Sequence, residues 1–171
     1  IYNTLIAGPP LSGKTTFIRE LSRKLSDGIT NPEFNGCDIT VIDERGEIAS
    51  QYNGIPQIYV GTRTDILSYC MKKEGFFMSI RSLSPKIIIS DELGSIEDFE
   101  IIQYALKSGV KIISTAHCFD INDLYGNIYL KKILESKFIE RIIILGHTKK
   151  PIYVKKIYDN LKDKLLYVNG N

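Results

Sequence analysis

Gly8-Pro9-Pro10-Leu11-Ser12-Gly13-Lys14-Thr15 decides how this chain folds, and the rest of the sequence falls into place around it. The eight residues fit G-x-x-x-x-G-K-[ST] in full. Before them stands a short apolar run, Thr4-Leu5-Ile6-Ala7, and after Lys14 the apolar residues Phe17, Ile18, Leu21 and Leu25 recur at helical spacing. Strand, glycine loop, helix is the context this motif needs to work as a phosphate cradle. The glycines let the backbone curl so that successive N–H groups and the helix N-terminus point at the β- and γ-phosphates. Lys14 supplies a point charge, the Thr15 hydroxyl is placed to ligate Mg2+, and Thr16 extends the cradle into the helix. ATP is the expected ligand and Mg2+ the expected cofactor.

Further strands follow from continuous apolar runs at Ile39-Thr40-Val41-Ile42, Ile87-Ile88-Ile89 and Lys111-Ile112-Ile113-Ser114-Thr115. Between the last two, Ser95-Ile96-Glu97-Asp98 reads as a capping box, with Phe99, Ile102 and Leu106 on one face and a stop at Gly109. Apolar strands alternating with helices predict an α/β domain, a mostly parallel sheet with helices on both faces. The end reads differently. Residues 138–145 and 151–158 form two strand-like runs joined by Gly146-His147-Thr148-Lys149-Lys150, a C-terminal antiparallel hairpin at the sheet edge. Gly54, Pro56 and Gly61 mark residues 51–62 as irregular, and a functional loop is expected there.

At 171 residues the chain suits one domain, taken as residues 1–171. With 43% hydrophobic and 25% charged residues and no low-complexity tract, disorder has no compositional support. Cys37, Cys70 and Cys118 are far apart, which suggests neither a disulfide framework nor a zinc site and suits a reducing, cytoplasmic setting. No apolar run approaches the roughly 18 residues of a membrane helix. From Lys131 onward ten Lys/Arg face four Asp/Glu, or +6, whereas the first 130 residues hold twelve against sixteen, or −4. A solvated lysine face accounts for this, with a docking surface for an acidic neighbour as the alternative. Without interleaved aromatic platforms the cluster does not point to nucleic acid.

A parallel strand presents functional residues at its C-terminal end, so Asp91 and Glu92, after Ile87-Ile88-Ile89, face the same crevice as the cradle. In this Walker B reading Asp91 holds the metal and Glu92 orients and deprotonates the attacking water. A kinase keeps water from the γ-phosphate and normally lacks such a base. An additional strand, residues 111–115, placed between the cradle strand and the Walker B strand is the topology of the hydrolysing, catalytic-glutamate branch. His117, following that strand, is expected near the γ-phosphate, where it could sense ATP against ADP. His147 lies among lysines and reads as solvated. Arg45, Arg63 and Arg81 are the candidates for neutralising transition-state charge, in their own site or a neighbour's.

Taken in order, residues 8–16, Asp43-Glu44-Arg45, Gly61-Thr62-Arg63-Thr64-Asp65, Ile80-Arg81-Ser82-Leu83-Ser84-Pro85 and Thr115-Ala116-His117 resemble the stage III sporulation protein AA family. The resemblance runs from about Gly8 to about Asp159. That family is similar to the RecA-like P-loop NTPases of type II and type IV secretion and pilus machines. On this resemblance Asp43-Glu44 through Glu47 corresponds to an acidic box, adding Glu44 to the catalytic candidates. Residues 81–92 correspond to an arginine-to-Walker-B segment and His117 to a histidine box. The resemblance implies an ATPase motor that forms a homo-oligomer, a hexameric ring. It would work on the cytosolic face of a membrane-spanning channel between mother cell and forespore, reaching the membrane through partners, with a separate N-terminal domain outside residues 1–171. Gly46 stands where Ser is expected, Cys118 where Gly is expected, and residues 147–150 replace a glycine-rich turn.

Two other classes fit a P-loop. A nucleotide-switch binding module would bind without much turnover, and a small-molecule phosphotransferase would need an acceptor. The second normally carries an arginine-rich lid, whereas Arg63 and Arg81 are scattered. No L-S-G-G-Q segment suggests an ABC transporter subunit.

Overall fold

The structure, a computed structural model, describes residues 1–147 and 152–169. The elements in chain order are β1 (Thr4–Gly8), α1 (Lys14–Asp27), β2 (Ile39–Asp43), the short β3 (Gln51–Tyr52) and β4 (Ile55–Pro56), then β5 (Thr64–Ser68) and α2 (Lys72–Met78), which runs into a π-helical turn (Ser79–Leu83). There follow β6 (Ile87–Ser90), α3 (Ile96–Lys107), β7 (Lys111–His117), α4 (Ile121–Gly126), α5 (Ile128–Glu135), β8 (Arg141–Leu145), β9 (Val154–Asp159) and β10 (Lys164–Val168). One eight-stranded sheet has the order β10-β9-β8-β1-β7-β6-β2-β5. Strands β8 through β5 in that order are parallel, and β9 and β10 add antiparallel at the other edge. The expected extra strand is in its expected place, with β7 between β1 and β6.

Alternation along the inner strands splits the core between two faces. Ile6, Ile39, Val41, Ile87 and Ile89 pack with Ile18 of α1 on one face. Leu5, Ile42, Ile88 and Ile112 pack on the other with Phe76, Ile102 and Ile133 of α2, α3 and α5. Each such buried side chain contributes about 1.5–3 kcal/mol relative to exposure. Helix α3 starts with the capping box read from its sequence, Ser95 and Asp98 exchanging bonds with each other's backbone.

The structure corrects several expectations. The run 138–145 is a strand only from Arg141, because Lys137 has φ +58° and the chain enters the sheet at Asn3, whose carbonyl accepts from the Glu140 and Arg141 amides. The second hairpin run is a strand from Val154, and residues 148–150 of the expected turn, with Pro151 of that run, lie outside the described residues. β5, β10, α2, α4 and α5 were not expected. Segment 51–62 is irregular apart from the β3–β4 ladder, but it packs on α1, where the Ser22 hydroxyl donates to the Val60 carbonyl at 2.8 Å. Of the basic C-terminal residues, Lys131, Lys137, Arg141 and Lys156 pair with Glu135, Asp163, Asp159 and Asp120, and Lys132 stacks on Phe99. No helix among the described residues is long and apolar enough to cross a membrane.

Candidate active site

The cradle is formed by tight backbone geometry. Gly13, the residue before α1, has φ +87°, a left-handed conformation that favours glycine. A Cβ at Gly8 would stand 2.6 Å from Ser12 Oγ and 3.0 Å from the Leu145 carbonyl oxygen, so only glycine lets β1 pass this close to β8. No side chain caps α1 and no acidic residue lies in its first turn, which leaves its first amides for an anion. Ser12 Oγ is buried within the loop with no hydrogen-bond partner among the described residues. An orphaned hydroxyl beside uncapped amides fits a bound phosphate.

Lys14 is buried to 9% exposure, and its ammonium donates to the carbonyls of Gly8 and Pro9, each at 2.9 Å, and to His117 Nδ1 at 3.3 Å. Burial pushes its pKa below the ordinary lysine value, while negative charge at Cys118, Asp91 and Glu92 pulls it back up. The Cys118 thiol is itself pushed up to about 12, chiefly by burial, and is neutral at physiological pH, so the two carboxylates carry that opposition.

Register brings the second half of the site to the cradle. β1 and β7 pair Gly8 with His117, and β6 and β7 pair Ser90 with Ser114, so Asp91, Glu92 and His117 emerge together at the C-terminal edge. Thr115, quoted from the sequence within the Thr115-Ala116-His117 motif but given no role there, fixes the turn. Its hydroxyl donates to Asp91 Oδ1 at 2.8 Å and accepts from the Glu92 amide at 3.0 Å, and its carbonyl accepts from the Leu93 amide at 2.7 Å. Lysine has only donors, so His117 Nδ1 accepts from Lys14 and its protonated Nε2 faces Glu92 Oε1 at 3.8 Å. Arg45 Nη2 lies 3.9 Å from Glu92 Oε2.

A cleft of about 470 Å3 joins these groups, lined among others by Lys14, Thr15, Asp91, Glu92, Glu47 and Arg45. Thr16 lines it too, but nothing from residues 51–62 does, so the expected functional loop is not part of this cleft. Thr15 and the Asp91 oxygen not bonded to Thr115 would suit a magnesium ion as oxygen ligands. No cluster of three His, Cys, Asp or Glu among the described residues holds a metal unaided.

The other candidates separate. Buried Asp43 accepts from the amides of Glu47 and Ala49 at 2.8 and 3.0 Å and shapes the turn that presents Arg45 and Glu47. Arg19 clamps that turn from α1 through the carbonyls of Ile48 and Glu47. Glu44 turns away from the cradle and accepts from the Lys72 amide at 2.9 Å, lining the adjoining cleft. Arg63 precedes β5, and Arg81, over the Phe77 ring at 5.5 Å, precedes β6. Both therefore stand at the N-terminal end of the parallel strands, opposite their own subunit's cradle. Gly46 has φ +70°, and a Cβ there would meet the Tyr69 hydroxyl at 2.5 Å, so glycine in place of the expected serine is matched by Tyr69. His147 is exposed.

The sequence matches the family described as sporulation stage III, protein AA, over residues 1–165. It is 44% identical over 159 residues to stage III sporulation protein AA of Bacillus subtilis (strain 168), covering 92% of this chain and 50% of that protein. It is 32% identical over 160 residues to the uncharacterized protein ycf45 of Cyanidium caldarium, covering 90% and 46%. The chain thus spans about half the length of the curated relatives it matches. Among solved structures, the VirB11 ATPase of the Brucella suis type IV secretion system, in complex with sulphate, superposes with TM-score 0.61 at 13% identity, covering 94% of this chain and 48% of that one. The pilus retraction motor PilT with bound ADP gives 0.54 at 15%, covering 84% and 42%. These likenesses establish the fold, a RecA-like P-loop ATPase fold. On the family match and the identity to the Bacillus subtilis protein, the chain belongs to the stage III sporulation protein AA family.

Proposed function

We propose that this chain is the ATP-hydrolysing domain of a motor that serves a secretion-like channel in sporulation. The observation that carries the reading is one cleft with two complementary walls. On one, the buried, partnerless Ser12 hydroxyl, the uncapped amides of α1 and Lys14 form a phosphate seat. On the other, Glu92 stands at the end of β6 with His117 and Arg45 at its two oxygens.

The cradle amides and Lys14 take the β- and γ-phosphates, and Lys14 exchanges its bonds to the Gly8 and Pro9 carbonyls for phosphate oxygens. Thr15 and Asp91 would hold Mg2+, which would supply neutralisation of phosphate charge. Glu92 accepts a proton from water as the water oxygen bonds to the γ-phosphorus and the bond from that phosphorus to the ADP oxygen breaks. His117, between Lys14 and Glu92, ties the base to the occupancy of the cradle. Arg45 offsets charge beside the base, and Arg63 and Arg81, at the far end of the sheet, serve only a neighbour's site.

That placement suits head-to-tail assembly, a hexameric ring in this reading, with the remaining half of the family's length as a separate domain. The family supports a cytoplasmic motor bound through partners to a membrane channel between mother cell and forespore. Phosphate release from Mg-ATP with no acceptor present tests the reading. Release by the wild type and none by Lys14→Ala is the expected result. Binding without release would make the domain a nucleotide switch, and release only with an added acceptor would make it a phosphotransferase.

A further inference from the structure

Next to the cradle cleft lies a second cleft of about 390 Å3, which shares Asp91, Glu92, Arg45 and His117 with it and is otherwise lined by Lys72, Glu44, Asp98, Asn127 and neighbouring residues of the turn after β6. Lys72, the first residue of α2, reaches into it with its side chain only 13% exposed. Its ammonium donates to the backbone carbonyl of Glu92 and to Asp98 Oδ1, the latter at 3.1 Å. Asp98 is 1% exposed, and its other oxygen accepts from the amides of Gly94 and Ser95, each at 2.7 Å. The Lys72 amide is held in turn by Glu44 Oε1 at 2.9 Å.

A carboxylate acting as base must be held within a fraction of an ångström of its working position. Among the described residues Glu92's own carboxylate has only the weak contacts to His117 and Arg45, so its position depends on the backbone that carries it. Thr115 fixes that backbone on the β7 side at the Glu92 amide. On the far side the fixed point is the Glu92 carbonyl, held by Lys72, with Asp98 anchoring the next two amides of the turn.

Resting on the assignment of Glu92 as the base, we propose that Lys72 is a positioning residue for it, and that the Glu44–Lys72–Asp98 chain of contacts transmits the placement of α2 to the base. Removing Lys72 lowers turnover and leaves nucleotide affinity intact, because no atom of Lys72 lines the cradle cleft.

A double-mutant cycle in the full-length protein tests this. Lys72→Met lowers kcat about 10-fold or more with KM for Mg-ATP unchanged, and in a Glu92→Gln background it lowers turnover no further. Where stranding the buried Asp98 charge prevents Lys72→Met from folding, Lys72→Met/Asp98→Asn is measured instead. The asparagine oxygen still accepts from Gly94 and Ser95, so no buried charge is stranded while the ammonium's ties to the Glu92 carbonyl, Asp98 and Glu44 are lost together. An unchanged kcat, a loss that appears as a raised KM for Mg-ATP instead, or an undiminished effect in the Glu92→Gln background overturns the proposal for Lys72. Normal turnover by Glu92→Gln alone overturns the assignment of the base instead.

Discussion

Lys14, on one wall of the cleft, is held at 2.9 Å by each of two loop carbonyls and is 9% exposed, whereas Glu92, on the other, has a side chain 44% exposed with His117 Nε2 and Arg45 Nη2 at 3.8 and 3.9 Å. The first wall is set by β1, β8 and the start of α1, where glycines permit backbone approaches that no other residue allows. The second is set by the ends of β6 and β7 and by a turn after β2, and its one ion pair among the described residues, Arg45 with Glu92, is of the solvent-screened kind, worth under about 1 kcal/mol. On the function proposed above, the contrast places binding on the tightly held wall and turnover on the loosely held one. Changes on the first wall should therefore abolish binding, and changes on the second should spare binding and alter turnover.

The largest effect expected is at Lys14. Lys14→Ala leaves phosphate charge facing the amides without its ammonium and removes measurable ATP binding by calorimetry. Wild-type affinity in that variant would mean the seat is elsewhere. Next come the arginines. Mixing Lys14→Ala subunits with Arg63→Ala or Arg81→Ala subunits should restore activity if either reaches across an interface, and specific activity of the wild type should rise with protein concentration. Arg45→Ala should not be rescued, because Arg45 faces Glu92 of its own chain. Rescue of Arg45→Ala, or concentration-independent activity with no rescue at the other two, would contradict this division. The smallest effect concerns Cys118, whose amide donates to the Gly8 carbonyl on the tight wall and whose thiol burial pushes up to about 12. At pH 8 iodoacetamide should label half-buried Cys37 and Cys70 first, by mass spectrometry. Labelling of Cys118 at an equal rate would show that the cradle side opens as readily as the rest.

The central fold was legible because its strands are buried on both faces and read as unbroken apolar runs, as at Ile87-Ile88-Ile89, and because Ser95 and Asp98 announce α3. β5 was not legible, since an edge strand such as Thr64–Ser68, with Asp65 exposed, carries no such run. β10 is exposed throughout, and α4 and α5 are too short for periodicity to declare them. In the site, the cradle, Asp91, Glu92 and His117 followed from strand ends. The position of Arg81 was readable by the same rule, since residues preceding a parallel strand stand at the opposite end from those that follow it, whereas Arg63 precedes the illegible β5 and was not. Arg19 and Lys72 leave no such signal, because they act largely through backbone carbonyls that only the folded chain brings near.

Glu92→Gln isolates the central claim, that the cradle binds ATP and Glu92 activates the water. In single-turnover measurements with saturating Mg-ATP, the variant should bind with wild-type affinity and hydrolyse about 10²-fold or more slowly, the scale of a lost general base. Hydrolysis at the wild-type rate would contradict the account and move the base to Glu47, the other glutamate lining the cradle cleft.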